Sequence, residues 1–223
     1  MRLSKRLESI TEFIEKEDKI IDIGCDHALL DIYLKEKYPD IKVIASDITE
    51  GAIKQAKKNI KKHNLEDEID LRKGDGLNIV DASEFDTIVI SGMGYHTIVK
   101  ILNNSERMKN VKKIIIQSNT DVVKLRKSII RLGYKISREK LVEDKEIVYT
   151  IIEFVPGKEK YDYKQIYFGP RLMENKDDLF NDYYHKKLLK YENLLLQLPK
   201  GYIMSKLHHK RLIKIIKEEI KEE

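Results

Sequence analysis

The sequence predicts an α/β domain with a mostly parallel sheet, followed by a pair of antiparallel helices. Over the first 155 residues, short runs rich in Ile and Val alternate with amphipathic segments, a pattern typical of βαβ units. After Pro156 and Gly157 the pattern becomes almost wholly helical. We therefore predict an α/β domain over residues 1–156 and a helical domain over residues 157–223.

Strands are predicted where β-branched residues cluster, and helices where apolar residues recur at helical spacing. The predicted strands are Ile20–Ile23, Val43–Ser46, Ile69–Arg72, Thr87–Ser91, Lys113–Gln117 and Ile147–Phe154. The predicted helices are Arg6–Glu15, Leu29–Lys37, Ala52–His63, His96–Leu102 and Val122–Leu132. Gly133 suits the C-terminal cap of the last helix. Lys135–Ser137 and Ile147–Phe154 then predict a closing hairpin rather than another crossover.

The last third of the chain predicts two amphipathic helices joined by a short turn. Tyr161–Phe168 is predicted to be extended, and Gly169-Pro170 is predicted to form a turn. Apolar stripes then run over residues 179–198 and 203–220. Pro and Gly in the segment 198–201 end the first helix, so the two helices should pack as an antiparallel hairpin.

Composition limits the cellular compartment and the disulfide and metal chemistry that we expect. Cys25 is the single cysteine among 223 residues, which excludes an intrachain disulfide and a multi-thiol metal site. No apolar run approaches the roughly 20 residues that span a membrane. The first residues also lack the apolar core of a secretory signal. We therefore expect a cytoplasmic protein with neither a membrane nor a metal partner. We also predict a monomer, although composition does not determine the oligomeric state.

The net charge of +5 is concentrated in the last third of the chain. Residues 1–156 contain 28 Lys and Arg against 27 Asp and Glu, whereas residues 157–223 contain 15 against 11. The densest basic segment includes Lys210, Arg211 and Lys214. Two interpretations stay open for this surface: a solvated helix face, or a surface that contacts phosphates.

The most informative segment is the turn after the first predicted strand, Asp22-Ile23-Gly24-Cys25-Asp26-His27-Ala28. In doubly wound proteins this turn holds a nucleotide-like cofactor. A dinucleotide fingerprint would have glycines where this chain has Asp26 and Leu29. The Asp26 carboxylate would repel a pyrophosphate but would suit a cofactor with a cationic amino acid end. The turn therefore favours S-adenosylmethionine, which carries an ammonium and a sulfonium, over a nicotinamide dinucleotide.

Two more acids follow the next predicted strands. Asp47 ends the second strand, where a carboxylate can accept hydrogen bonds from both ribose hydroxyls of an adenosine. Asp75 follows the third strand, where it can accept from an adenine amino group while Leu77 lies against the ring. The alternatives are a helix cap for Asp47 and an ordinary Asp-Gly turn for Asp75. The predicted cofactor site is Asp22, Gly24, Cys25, Asp26, His27, Asp47, Ile48, Asp75, Gly76, Leu77, Ser91, Gly92 and Met93.

The loops after the fourth and fifth strands are predicted to face the substrate. Ser91-Gly92-Met93-Gly94 places two glycines around a methionine, which indicates backbone that approaches a ligand closely. Gln117-Ser118-Asn119 supplies amides that can read a base edge, or else forms a capped helix start. The predicted catalytic residues are Asp26, His27, Gln117 and Asn119. For His27, a hydrogen bond within its own turn is an equal alternative.

Together these segments resemble the bacterial tRNA (adenine-22-N1)-methyltransferases of the TrmK type. The matching pieces are Leu3–Leu7, Asp22–Ala28, Ser91–Gly94, Gln117–Asn119, Leu125-Arg126 and Phe168–Pro170. This chain departs from the family pattern at Tyr95, where a third glycine is usual, at Ser118, where proline is usual, and at Asp47, where glutamate is frequent. The resemblance implies a Rossmann-like domain, a C-terminal coiled-coil hairpin, and methyl transfer from S-adenosylmethionine to N1 of a tRNA adenine.

The resemblance also implies tRNA as the partner. The predicted RNA-binding residues are Lys5, Arg6, Tyr95, Lys210, Arg211 and Lys214. Because N1 lies on the pairing edge of adenine, the base must be unpaired or flipped to react. The alternatives are methylation of another RNA base or of a protein, and RNA binding without catalysis.

Overall fold

A computed structural model describes residues 1–104, 106–199 and 201–220 and has a seven-stranded sheet at its centre. The strands are β1 Lys19–Ile23, β2 Lys42–Asp47, β3 Ile69–Lys73, β4 Thr87–Met93, β5 Lys113–Ser118, β6 Tyr134–Asp144 and β7 Ile147–Pro156. Their spatial order is β3-β2-β1-β4-β5-β7-β6. Strands β1 to β5 run parallel, and β7 is antiparallel to both β5 and β6. The predicted fold class is confirmed.

Helices connect the parallel strands and form the end of the chain. The helices are α1 Lys5–Thr11, α2 Leu29–Lys37, α3 Glu50–Lys62, α4 Tyr95–Leu102, α5 Val122–Arg131, α6 Tyr163–Phe168, α7 Pro170–Glu174, α8 Asp178–Gln197 and α9 Ile203–Glu219. A 3₁₀ turn covers Gly76–Ile79. The strand order reverses between β1 and β4, which opens a crevice at the carboxyl ends of these strands.

The central strands are covered on both faces, which explains their unbroken apolar runs. Residues 88–90 of β4 and 114–116 of β5 are at most 1% exposed. Alternate residues of each strand belong to different clusters. Ile88 and Ile114 pack in one cluster with residues of α4 and α5, while Val89 and Ile115 pack in another with residues of α1 and α2. The sheet is therefore a rigid central layer that fixes the positions of its strand ends.

The sequence prediction is wrong in parts: α1 ends at Thr11 rather than Glu15, Pro170 begins helix α7, and the segment before it is helical. Tyr163–Phe168 is helix α6, whereas the sequence predicts Tyr161–Phe168 to be extended. The helix is nucleated by a capping box in which the Asp162 carboxylate accepts from the Gln165 N–H and the Gln165 amide oxygen accepts from the Asp162 N–H. The aromatic side chains that favoured a strand are buried against the C-terminal helices instead.

Helices α8 and α9 pack side by side in the predicted antiparallel arrangement. At one end of the pair, the Lys176 ammonium lies 2.6 Å from the Glu219 carboxylate. Farther along, the rings of Tyr191 and His209 are 5.6 Å apart. The buried residues between the helices include Tyr184, Leu188, Leu212, Ile215 and Ile216. Lys200 of the predicted turn and the last three residues of the predicted helical domain lie outside the described residues.

A buried ion pair ties this C-terminal region to the sheet. Nε of Arg126 on α5 donates to Oε1 of Glu139 on β6 at 2.7 Å, and both side chains are at most 2% exposed. The remaining guanidinium nitrogens donate to the carbonyl oxygens of Ile166, Tyr167 and Phe168. Arg126 thereby satisfies carbonyl groups that the end of α6 leaves without intrahelical partners.

Candidate active site

Two adjoining cavities lie at the carboxyl ends of the parallel strands. The first cavity, of 440 Å³, lies between α1, the turn after β1 and the ends of β4 and β5. The second cavity, of 380 Å³, lies between the ends of β1 to β3 and helix α4. Gly24, Asp47 and Met93 line both cavities, so a single elongated ligand can occupy the two together. Their volumes lie in the range of small-molecule sites.

The turn after β1 is shaped by left-handed backbone. Gly24, Asp26 and Ala28 have φ values of +82°, +49° and +53°. The N–H groups of Gly24 and Cys25 both donate to the Ser46 carbonyl, at 2.8 and 2.9 Å, which ties the turn to β2. A Cβ on residue 24 would lie 2.3 Å from the Met93 Cε. Glycine therefore serves both the backbone conformation and the close packing of the Met93 loop.

The first cavity contains two carboxyl groups in contrasting surroundings. Asp22 is 5% exposed, and burial raises its pKa to about 7. The neighbouring Asp31 carboxyl, which can donate to Asp22 when it is protonated, and the charge of Arg6 lower the pKa of Asp22, whereas the charge of Asp47 raises it further. The Asp26 side chain is 71% exposed, and its carboxylate lies 3.4 Å from Nε2 of His27. The cavity thus combines a desolvated acid in its wall with a solvated acid at its edge.

Arg6 brings a positive charge to the first cavity from α1. Its Nη1 donates to the Ser91 hydroxyl and to Oε1 of Gln117, the latter at 2.7 Å. Both acceptors are neutral, and no ion pair among the described residues includes Arg6. The sequence predicts that Arg6 binds RNA, but its guanidinium lies inside the cavity, where it can meet an anionic group of a ligand.

The predicted base-reading amides occupy different positions. Gln117 is 0% exposed, and its Oε1 also accepts from the Ser91 hydroxyl and the Gly92 N–H, at 3.1 and 3.0 Å. Its Nε2 donates to Oδ1 of Asn119 at 3.0 Å. Asn119 lines the first cavity, and its Nδ2 donates to the Gly92 carbonyl at 2.6 Å. Gln117 therefore supports the Gly92 loop from behind, and only Asn119 of the two reaches the cavity.

The two acids of the second cavity are held in different ways. One oxygen of Asp47 accepts from the N–H and the hydroxyl of Thr49, at 2.8 and 2.9 Å. Thr49 itself caps α3, so the cap predicted as an alternative for Asp47 belongs to Thr49. The Asp75 side chain is 50% exposed, and its carboxylate lies 3.5 Å from the Lys100 ammonium. Both acids line the cavity, as the sequence predicts.

Most of the predicted cofactor residues line the cavities. Those of the first cavity are Asp22, Gly24, Cys25, Asp26, His27, Asp47, Ser91, Gly92 and Met93. Ile48, Asp75 and Gly76 line the second cavity. Leu77 lines neither of them, because its side chain is buried in the main core and is 2% exposed. The apolar wall of the second cavity comes instead from Ile48 and from Ile101 of α4.

Tyr149 lines the first cavity, although no sequence pattern predicts it there. It reaches the first cavity from β7, and its ring lies 5.6 Å below the guanidinium of Arg6. No motif surrounds it, because its position depends on the antiparallel pairing of β7 with β5. Leu7 and Leu30 complete the apolar part of the same wall.

The other predicted RNA-binding residues lie outside both cavities. Lys5 is exposed on α1. The Tyr95 hydroxyl lies 3.1 Å from the Ser128 hydroxyl, which holds its ring against α5. On α9, Lys210 and Lys214 are exposed. The other predicted cation of α9, Arg211, lies 3.9 Å from the centre of the Tyr163 ring.

Neither a metal centre nor a membrane segment is found in the described ranges. Among the described residues, no group of three or more His, Cys, Asp and Glu side chains is arranged to hold a metal ion. Within the same part of the chain, no helix has the length and apolar character needed to cross a membrane.

The fold and the charges of the site define a Rossmann-like methyltransferase. Carboxyl groups line both cavities and suit the ammonium, sulfonium and ribose hydroxyls of S-adenosylmethionine, whereas they would repel a pyrophosphate. The family model of the tRNA (adenine(22)-N(1))-methyltransferases, TrmK, matches residues 20–223. The chain belongs to this family, which confirms the resemblance found in the sequence.

Relatives cover almost the whole chain. The tRNA (adenine(22)-N(1))-methyltransferase of Bacillus subtilis is 29% identical over 208 residues, which are 90% of this chain and 87% of the relative. The structure of Streptococcus pneumoniae Sp1610 in complex with S-adenosyl-L-methionine is 30% identical, with a TM-score of 0.90 over 99% of this chain and 100% of that one. Mycoplasma capricolum TrmK in complex with S-adenosyl-homocysteine is 29% identical, with a TM-score of 0.86 over 98% and 97%.

Proposed function

We propose that this chain transfers a methyl group from S-adenosylmethionine to N1 of adenine 22 in tRNA. The observation that carries the proposal is that Asp22 and Arg6, in a member of the TrmK family, line the first cavity without an ion-pair partner in the described part of the chain. When bound, S-adenosylmethionine supplies an electrophilic methyl carbon on a positively charged sulfur.

The charges in the two cavities suggest one orientation for the cofactor. Asp22 and Arg6 both line the first cavity, where they suit the ammonium and the carboxylate of an amino acid end. Asp47 keeps one oxygen free of Thr49 for the ribose hydroxyls. Asp75 suits the amino group of adenine in the second cavity, with Ile48 and the α4 residues around the ring.

The acceptor base is proposed to enter the outer part of the first cavity. Asp26, His27, Asn119 and Tyr149 surround this part. Oδ1 of Asn119 has a second lone pair, which can accept from the exocyclic amino group of adenine. The Tyr149 ring offers a face for stacking.

The chemical task of these residues is orientation and charge stabilisation. Adenine N1 has a free lone pair at neutral pH, so no base needs to remove a proton before attack. Alignment of the base with the reacting carbon is then the main contribution to the rate. Methylation leaves a positive charge on the base, and the carboxylate of Asp26 is placed to stabilise this charge as it develops.

Outside the cavities, exposed lysines are proposed to contact the tRNA backbone. Lys5 on α1 and the pair Lys210 and Lys214 on α9 have the exposure that such contacts need. Arg211 rests on the Tyr163 ring, so we assign it a structural contact between α9 and α6 as well.

The protein is proposed to act as a monomer in the cytoplasm, where its tRNA substrate lies. Support comes from the lining of both cavities, which is complete within one chain. Light scattering of the purified protein should give a mass near 26.3 kDa, whereas twice that mass would contradict a monomer.

The experiment that tests the proposed function uses S-adenosylmethionine labelled in its methyl group. The protein is incubated with a tRNA transcript that carries adenine at position 22, and with a matched transcript that carries guanine there. We expect 1-methyladenosine at position 22 of the first transcript and no label in the second. Label at another base, label in protein, or no transfer to either transcript would contradict the proposal.

A further inference from the structure

Asp31 is a buried acid that has no hydrogen-bond partner within the described ranges of the chain. It lies in the first turn of α2, is 0% exposed, and neither of its carboxylate oxygens has a partner there. Buried polar groups in proteins are nearly always hydrogen-bonded, and an unpaired buried charge is costly. The Asp31 carboxyl therefore needs either a proton of its own or a donor, and no N–H or O–H group of the described residues donates to it.

The group in contact with Asp31 is the carboxyl of Asp22, which lines the first cavity. Two ionised carboxylates cannot hydrogen-bond to each other, because both only accept. A proton on one of them turns it into a donor and removes the repulsion between the two. The geometry of two buried acids in contact thus requires one shared proton.

We propose that Asp22 and Asp31 share one proton, and that Asp31 is the positioning residue that holds it when Asp22 binds a cationic ligand group. The ligand group in question is the ammonium of the amino acid end of the cofactor, so the inference rests on the proposed function. With the proton on Asp31, its O–H donates to one oxygen of Asp22. The other oxygen of Asp22 stays charged and faces the cavity.

The charge balance of the binding step follows directly. Above the pH range in which Asp22 titrates, the pair holds one proton before and after the cation binds, and no proton moves to the ligand. At lower pH the empty pair holds two protons, and binding of the cation releases one proton to solvent. Affinity for a cationic ligand should therefore fall as the pH falls through the range where Asp22 takes up its proton.

Other titratable groups around the pair are compatible with this arrangement. The charge of Arg6 on α1 favours the ionised form of Asp22, whereas Asp47 at the end of β2 disfavours it. Burial and the charges of Asp31 and Asp22 raise the pKa of the Cys25 thiol, so that thiol stays neutral beside them. Asp26 and His27 of the same turn are solvent-exposed and paired with each other. Burial and the charge of Asp22 raise the pKa of Asp31 well above its usual value.

The test compares the parent protein with Asp31→Asn and Asp31→Ala. The amide introduced by Asp31→Asn keeps a donor toward Asp22, as a protonated acid would, whereas alanine removes it. S-Adenosylhomocysteine affinity is measured by calorimetry between about pH 5.5 and 8.5. Because the ionisation of the ligand is common to all three proteins, differences between them report on the pair. Thermal unfolding checks that each variant is folded.

We expect Asp31→Asn to bind within about threefold of the parent at neutral pH. Asp31→Ala should bind about tenfold or more weakly, and the pH midpoint of its affinity should move upward, because Asp22 loses the donor that stabilises its charge. Equal losses in both variants, or the same midpoint in all three proteins, would overturn the proposal.

A second readout needs no ligand. Carbon-13 labelling of aspartate carboxyls lets the titration of Asp22 and Asp31 be followed by NMR in the free protein. A shared proton predicts one carboxyl that titrates near neutral pH and a changed midpoint for Asp22 in Asp31→Ala. Two independent titrations near the usual aspartate value would refute the shared proton. If the parent binds no S-adenosylhomocysteine but shows the coupled titration, the proposed cofactor is wrong and the proton pair stands.

Discussion

Cavities lined by charged residues lie at both ends of the parallel strands, called the carboxyl edge and the amino edge. The cavity at the amino edge, away from the candidate site, is larger than either cavity of the site. That cavity, at the amino ends of the strands, measures 670 Å³. Several of its charges are paired: the Arg72 guanidinium lies 2.6 Å from both Asp70 and Glu84, and the Lys35 ammonium lies 2.9 Å from Glu68.

At the carboxyl edge, two charged residues of the candidate site have no ion-pair partner in the described part of the chain. None of the ion pairs among the described residues includes Asp22 or Arg6, although both line the first cavity. The backbone there also adopts positive φ at the non-glycine residues Asp26 and Ala28. The unpaired Asp22 and Arg6, rather than cavity size, therefore distinguish the candidate site, and their role can be tested against a matched change elsewhere.

The largest expected effect comes from removing the charge of Asp22. Asp22→Asn should weaken S-adenosylhomocysteine binding about 100-fold or more, because a buried charge-assisted contact is lost. Asp70→Asn removes an acid from the amino edge and should leave the affinity unchanged. Calorimetry measures the S-adenosylhomocysteine affinity of both variants. Similar affinities for the two would show that Asp22 does not bind the ligand.

A second prediction concerns stability in the absence of ligand. Burial raises the pKa of Asp22 to about 7 from an ordinary value of 3.8, so the folded protein binds more protons than the unfolded chain between these values. The contribution of Asp22 to the unfolding free energy therefore falls as the pH rises through this window, by about 4 kcal/mol. Asp22→Asn should show a flatter profile in urea titrations at several pH values. Parallel profiles for the parent and the variant would contradict the raised pKa.

A third prediction concerns the strained backbone. Gly24→Ala should lower the unfolding free energy by about 1–2 kcal/mol, because alanine is strained at a positive φ and displaces the Met93 Cε. Gly51→Ala is the control: nothing lies within 4 Å of its Cβ position, and its helical location predicts a gain of about 0.5 kcal/mol. Chemical denaturation measures both changes. A similar small effect in the two variants would show that the turn is not strained.

A fourth prediction separates cofactor binding from RNA binding at the start of α1. Arg6→Met should weaken S-adenosylhomocysteine binding about tenfold while the salt dependence of tRNA binding stays unchanged. Lys5→Met, its exposed neighbour, should leave the cofactor affinity unchanged and reduce the salt slope by about 1. The reverse pattern would show that Arg6 contacts the tRNA and not the cofactor.

The smallest effect is expected on α9. Replacement of both Lys210 and Lys214 by alanine should weaken tRNA binding about three- to tenfold and lower its salt slope by about 1–2. Lys42→Ala removes an exposed charge at the amino edge and should change neither value. Binding is followed by fluorescence anisotropy at several salt concentrations. An unchanged slope in the α9 variant would identify those lysines as a solvated face.

The parallel half of the fold was predictable because its signals are local. Ile20–Ile23 and Lys113–Gln117 are apolar runs that suit strands covered on both faces. Gly24 and Asp26 directly follow such a strand, so their place at its carboxyl end could be inferred. The capping box of Asp162 and Gln165 was also a local signal for α6, but the aromatic composition of that segment favoured a strand instead.

Residues positioned by tertiary packing could not be assigned in this way. Arg6 enters the cavity because α1 packs at the carboxyl edge, which its own sequence does not indicate. Gln117 and Asn119 are two positions apart, yet one is buried within β5 and the other lies beyond its end. The place of Tyr149 depends on the pairing of β7 with β5, and contact between Asp22 and Asp31 depends on how α2 packs on β1.

The most direct test of the proposed cofactor site is a crystal structure of the protein with S-adenosylhomocysteine. We predict the ligand in the two cavities of the carboxyl edge, with its amino group at Asp22, its carboxylate at Arg6, its ribose at Asp47 and its adenine beside Asp75. The cavity of the amino edge should bind no ligand. A ligand in the 670 Å³ cavity, or one with its amino acid end in the second cavity, would contradict the central claim that unpaired charges mark and orient the site.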